Sequence, residues 1–187
     1  MALEGITIDK KPLKDHLEAV GHRDAFLYVQ HLVTEKAPVT EKMIKDIHSL
    51  VLMSRVEDKG VYRRIPVKIM GACYEPPQPY LVPIQMEQLI AGQKNQKRHA
   101  IENAALFNLD FEGIHPFIDG NGRTGRLILN LMLMQSGYLP INVKFADRKR
   151  YYSCFDSYYK DKIAMPLVTM IIEYLEERLK QYLDVLK

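Results

Sequence analysis

The chain has 187 residues, enough for one domain with its own hydrophobic core. An apolar fraction of 47% argues against disorder, and 26 basic against 23 acidic residues leave a net charge of only +3, with no Lys/Arg stripe of the kind that binds nucleic acid. Cys73 and Cys154 fit neither a disulfide framework nor a metal-ligand spacing, which points to a reduced, cytoplasmic setting. Met1-Ala-Leu-Glu-Gly5 has neither the basic region nor the apolar run of a signal peptide, and no apolar stretch reaches membrane-spanning length.

Hydrophobic periodicity predicts a mostly helical chain. A first helix over about residues 10–20 stops near Gly21, and a second covers about 23–34 with Phe26, Val29, Leu32 and Val33 on one side. Thr40 is placed to cap a third over about 41–57, where Met43, Ile44, Ile47, Leu50 and Val51 recur at helical spacing. The pattern then changes. Ile65, Val67 and Ile69 alternate, and Pro76-Pro77-Gln78-Pro79 follows, which reads as two short strands in a hairpin with an extended return; a plain surface loop is the alternative. Helices resume over about 83–96 and 98–112, the latter ended by Gly113. A helix over about 121–135, stopped by Ser136-Gly137, is apolar nearly all round and belongs at the centre of a bundle. Two more follow over about 147–159 and 166–183. No repeat or linker divides the chain, so residues 1–187 read as one domain.

Residues His115-Pro-Phe-Ile-Asp-Gly-Asn-Gly-Arg-Thr-Gly-Arg126 place a base, a carboxylate, three glycines and two arginines directly before an apolar helical stretch. Gly120 and Gly122 let backbone amides approach an anion, and Asn121 tolerates left-handed backbone geometry. The helix N-terminus adds its partial positive charge, making a phosphate cradle. Arg123 and Arg126 lie on the first turn, where cations oppose the helix dipole unless a polyphosphate offsets the conflict. Asp119 is a hard oxygen ligand suited to magnesium, and the His115 imidazole is placed to accept a proton from an attacking hydroxyl. Each feature alone has an ordinary reading: a turn, a helix cap, a surface ion pair. Their combination in fixed order is what points to chemistry.

The segment resembles the Fic family (filamentation induced by cAMP), whose hallmark H-P-F-x-D/E-G-N-G-R-x-x-R is met at every specified position of residues 115–126. The resemblance implies an all-α fold, a helical bundle around a buried central helix with a small β-hairpin flap over residues 61–80 for target docking. It implies transfer of AMP from ATP to a Tyr, Ser or Thr hydroxyl of a target protein. His115 would then be the general base and Asp119 the ligand of Mg2+. Phe117, Gly120, Asn121, Gly122, Arg123 and Arg126 would bind the nucleotide, with Tyr151 or Tyr152 lining the adenosine pocket or merely packing. Asp147-Arg148-Lys149-Arg150-Tyr151-Tyr152 resembles the family's segment after the central helix. Leu3-Glu4-Gly5 resembles the end of the family's inhibitory motif S/T-x-x-x-E-G/N, with residues 1–9 as the remnant of that helix. Its Ser/Thr position would precede Met1, and Glu4 is the regulatory candidate that would pair with Arg126.

Other readings stay open at this stage. Removal of AMP and phosphorylation of a target occur on the same fold, although the phosphorylating branch usually departs from Gly-Asn-Gly-Arg. A non-catalytic nucleotide-binding module would keep the arginines but need no His115. The expected partners are ATP and a target protein, with the chain itself among the candidates, and neither nucleic acid nor membrane. A homodimer is compatible with the apolar set Ile171, Leu175 and Leu179, which equally suits the core.

Overall fold

Residues 13–53, 55–93 and 97–185 are described by a computed structural model, whose architecture follows from the helix that is apolar nearly all round. Helices α1 (Leu13–Thr34), α2 (Glu41–Val51), α3 (Val82–Gly92), α4 (Ala100–Ile114), α5 (Asn121–Gln135), α6 (Arg148–Asp161) and α7 (Met165–Val185) follow one another. Single 3-10 turns stand at Val56–Asp58, Pro79–Leu81 and Phe145–Asp147. Helix α5 packs on α1, α2 and α4. Its Leu127, Ile128 and Leu131 enter one apolar cluster with α1, α2 and Phe107, Phe111 and Phe117, while Leu129 and Leu133 enter a second with α6 and α7. Helix α4 also serves both clusters, so the α4–α5 pair is the spine that holds the rest. No helix among the described residues is long and apolar enough to cross a membrane.

Two glycines act differently from their sequence reading. Gly21 does not end a helix, because α1 runs unbroken from Leu13 to Thr34. It lies where α1 meets the end of α2, and a Cβ there would overlap the Leu50 carbonyl. Gly113 likewise sits inside α4, under the Tyr159 hydroxyl, which donates to the Leu109 carbonyl at 2.5 Å. In both places the missing side chain serves close packing rather than helix termination.

The expected β-hairpin over 61–80 is not there: among the described residues no strand exists, and the fold is all-α. The Arg63 N–H bonds to the Pro116 carbonyl instead of to a neighbouring strand. Pro76, Pro77 and Pro79 in the return have no N–H with which to build a ladder. The alternating apolar residues bury little, since Ile65 is exposed, whereas Arg63 is the buried residue of this stretch at 4% exposure. Period-2 patterning here marks an extended loop tied down by one arginine. Glu4 and the rest of residues 1–9 lie outside the described residues.

Candidate active site

The motif loop is held between the end of α4 and the start of α5 by buried side chains rather than by its own turns. His115 caps α4 in left-handed geometry (φ 48°), with its N–H on the Phe111 carbonyl. That conformation is uncommon for a residue with a Cβ and persists where surroundings impose it. Arg63 imposes it: its Nε donates to the His115 carbonyl at 2.8 Å, and its other guanidinium groups reach the carbonyls of Ile65, Pro77 and Ile114. Asn121 closes the loop from the other side. Its Oδ1 accepts from the Phe117 N–H at 2.9 Å and its Nδ2 donates to the Phe117 carbonyl at 2.8 Å.

Phe117 is fully buried and stacks on His48, with ring centroids 3.6 Å apart and planes 4° off parallel. It is therefore an anchor beneath the loop. His48 Nδ1 accepts from the Gly60 N–H at 3.0 Å, so its Nε2 carries the proton and donates to the Asp119 carbonyl at 2.9 Å. Burial lowers the His48 pKa, which suits a neutral ring. Gly120 (φ 78°) is the N-cap of α5, and a Cβ there would press on the His48 ring. No side chain caps α5, so the first-turn amides keep the donor capacity that every helix start leaves unused.

The sequence-predicted residues divide into two groups. His115, Asp119, Gly120, Asn121 and Gly122 form the loop and first turn. Arg123, Arg126, Tyr151 and Tyr152 line an adjoining cleft of about 720 Å³, with His22 and Arg148 also in its wall. The cleft is electropositive: Arg123, Arg126, Lys144, Arg148 and Arg178 line it against the single carboxylate of Glu177. The His22 pKa is lowered by burial first and then by the charges of Arg126 and Arg123. Arg123 Nη1 is 3.1 Å from Glu18 of α1, and its Nη2 is 3.9 Å from Asp119. Arg126 faces the Tyr151 ring, 6.0 Å from its centroid. Tyr151 is buried and donates its hydroxyl to Asn108 Oδ1 at 2.8 Å, while Tyr152 is exposed.

His115 is equipped to accept a proton. Burial pushes its pKa down to about 4, so the ring is neutral at physiological pH. Its Nδ1 lies 3.3 Å from the Glu112 carbonyl, an acceptor, so Nδ1 carries the hydrogen and Nε2 keeps the lone pair. The Asp119 side chain is 40% exposed, with Oδ1 receiving the Gly120 N–H at 2.6 Å. No cluster of three or more metal-ligating side chains exists among the described residues. One half-exposed carboxylate beside an amide cradle fits magnesium, which is commonly held by one or two carboxylates together with substrate phosphates.

Sequence reasoning missed His48, Arg63 and Glu112. His48 is visible only as a polar residue on the apolar face of α2 with Met43, Ile44, Ile47 and Val51. Arg63 sat in a stretch read as strand. Glu112 carries a faint signal: an acid one helical turn before the base.

A family model described as the Fic/DOC family matches residues 38–133, just over half the chain, and the chain belongs to that family. The protein adenylyltransferase Fic of Drosophila grimshawi is 32% identical over 183 residues, covering 95% of this chain and 37% of the relative. This chain thus spans little more than a third of the curated relatives it matches. Among solved structures, Fic-1 of C. elegans (residues 134–508) aligns with a TM-score of 0.85 at 26% identity, over 97% of this chain and 55% of that one. A Fic domain containing signalling protein from Bacteroides thetaiotaomicron aligns with a TM-score of 0.84 at 25% identity, over 95% and 74%.

Proposed function

We propose that this chain is a protein adenylyltransferase, moving AMP from ATP to a Tyr, Ser or Thr hydroxyl of a target protein. The observation that carries the reading is a neutral histidine, fixed with Nε2 as acceptor, on the loop that opens into the helix start bearing Arg123 and Arg126. The name carried by the Drosophila relative supports it.

In this reading the triphosphate lies along the first-turn amides of α5 and the two arginines. Arg123 exchanges its Glu18 contact for phosphate oxygens, and Arg126 holds the far end of the chain of phosphates. Tyr151 and Tyr152 flank the nucleoside. His115 Nε2 takes the proton of the target hydroxyl as its oxygen bonds to the α-phosphorus; the bond from that phosphorus to the bridging oxygen breaks, and pyrophosphate leaves. The amides and guanidinium groups stabilise the charge that develops on the departing oxygens. Magnesium, held by Asp119, would supply further charge neutralisation on the phosphates. Asn121 acts through its backbone, since its side chain is committed to Phe117.

Glu4 belongs to the proposal as a brake on Arg126. Glu4→Gly is expected to raise AMP incorporation, and unchanged incorporation rejects the brake. The activity itself is tested by incubating the protein with ATP, magnesium and host lysate and searching the products by mass spectrometry for AMP-bearing peptides. Peptides absent with His115→Ala support the reading; equal yields from that variant overturn the base assignment.

A further inference from the structure

Glu112 lies on α4 one turn before His115 and is only 8% exposed. Its Oε2 is 3.8 Å from His115 Nδ1, the nitrogen that also faces the Glu112 carbonyl. Its Oε1 is buried without a hydrogen-bond partner. That oxygen lies 2.8 Å from where a Cβ of Gly125 would stand and 3.6 Å from where a Cβ of Gly122 would stand. Arg126 Nη1 approaches the same Gly122 position to 3.2 Å. The carboxyl therefore sits beneath the first turn of α5, between the base and the helix start that carries the phosphate-binding arginines. Gly122 and Gly125 leave the space it occupies.

A buried carboxyl with an unpaired oxygen is costly, and an apolar side chain of similar size would pack there at lower cost. A role in the reaction accounts for its presence. When Nε2 takes a proton, the imidazolium faces the Arg63 guanidinium, whose charge opposes it. Glu112 is the acidic side chain on the Nδ1 side. We propose that the Glu112 side chain is a positioning residue for His115: while the Glu112 carbonyl takes the Nδ1 hydrogen, the carboxylate on the same side counters the imidazolium charge when Nε2 accepts the target's proton. This rests on the transfer reading of the site.

The groups that bear on this pair come from several elements. Arg126 of α5 lowers the Glu112 pKa, but burial dominates and leaves it raised to about 7. Tyr151 and Tyr159 of α6 and Tyr74 of the 61–78 loop feel the Glu112 charge, and their own pKa values are pushed up mainly by burial. Arg63 and Asp119 act on His115 with opposite signs. Glu112 thus ionises as pH rises through about 7, well above the His115 titration near 4. The rising limb of kcat against pH then belongs to Glu112.

Two variants and one spectroscopic readout test this. Glu112→Gln keeps the shape and removes the charge, and Glu112→Met fills the space with apolar atoms. At pH 8 both are expected to lower kcat about 10-fold or more, with KM for ATP within about 2-fold of wild type. At pH 5.5, where Glu112 is protonated, the Gln variant is expected to match wild type within about 2-fold, and its limb near pH 7 is gone. Wild-type kcat and pH profile in both variants would mean that Glu112 only packs, and would overturn the proposal. An NMR titration of the His115 ring needs no substrate. In wild type its resonances should move in a step near pH 7 besides their own titration, and in Glu112→Gln that step should vanish. Absence of the step in wild type overturns the proposal even if transfer is observed. A wild-type step in a protein that labels no target would leave the coupling standing and count against the transfer reading alone.

Discussion

Replacing His48 with Ala removes the ring on which the motif loop rests. The substitution strips the Asp119 carbonyl of its donor and the Gly60 N–H of its acceptor. Leaving a buried polar group unsatisfied costs about 1–3 kcal/mol, and two such groups are exposed to that penalty. Loss of the stack on Phe117 adds about 1 kcal/mol. The sum is roughly 3–7 kcal/mol. For a domain of this size 1 kcal/mol moves Tm by about 2–4 °C, so the variant should melt roughly 6 °C or more below wild type. Thermal unfolding by circular dichroism at pH 7.5 measures it. Because His48 holds the backbone of Asp119, transfer should fall as well, even at temperatures where the variant is fully folded. A Tm within about 3 °C of wild type would refute the claim that His48 holds the loop.

Further outcomes follow from the same geometry. Arg63→Met orphans the carbonyls of His115, Ile114 and Pro77 and releases the 61–78 loop; proteolytic nicking in that loop and a lowered kcat are expected, and wild-type protection would contradict the pinning role. Gly113→Ala drives Tyr159 off α4, with loss of its bond to Leu109 and its stack on Tyr74; about 2–4 kcal/mol of stability should disappear in urea unfolding. Stability should also depend on pH from two directions. The folded-state pKa values of His48 and His115 are lowered by burial, so their contribution is fully present above about 6.5 and is lost as pH falls below it, through about 4 for His115. Glu112 has the opposite sign: its folded-state pKa is raised, so its contribution is present below about 4.5 and is lost as pH rises through about 7. Glu112→Gln should therefore melt higher than wild type at pH 8, with the gap narrowing toward pH 4.5.

Helix α5 was legible in the sequence because its cause is local and strong. A stretch apolar all round, entered through Gly-Asn-Gly and closed by Ser136-Gly137, has few other solutions, and the structure places it over Asn121–Gln135. The start of helix α2 and its Thr40 cap were legible from the capping residue and the apolar spacing, with the Thr40 hydroxyl accepting from the Met43 N–H at 3.2 Å, but the helix ends at Val51 and not near residue 57. The two glycine misreadings share a physical cause. Gly21 and Gly113 are set by tertiary crowding from Leu50 and Tyr159, which lie 29 and 46 positions away and leave no trace in local pattern. The hairpin failed because alternation counts side chains, whereas a ladder needs backbone donors, and the return is rich in proline. At the site, the twelve-residue motif put the chemistry within reach, with His115 at the end of α4 as expected. What local spacing left hidden was the support: His48, Arg63 and Glu112 reach the loop from α2, from the 61–78 loop and from the buried side of α4. Only the three-dimensional arrangement shows that Asn121 and Phe117 hold the loop instead of facing the cleft.

The most direct test of the central claim is incubation of the full chain with magnesium, host lysate and ATP labelled in turn at the α- and the γ-phosphate, beside His115→Ala. Label from the α-phosphate on protein, lost in the variant while ATP binding persists, is the predicted result. Label from the γ-phosphate alone, or α-label undiminished by His115→Ala, would contradict it.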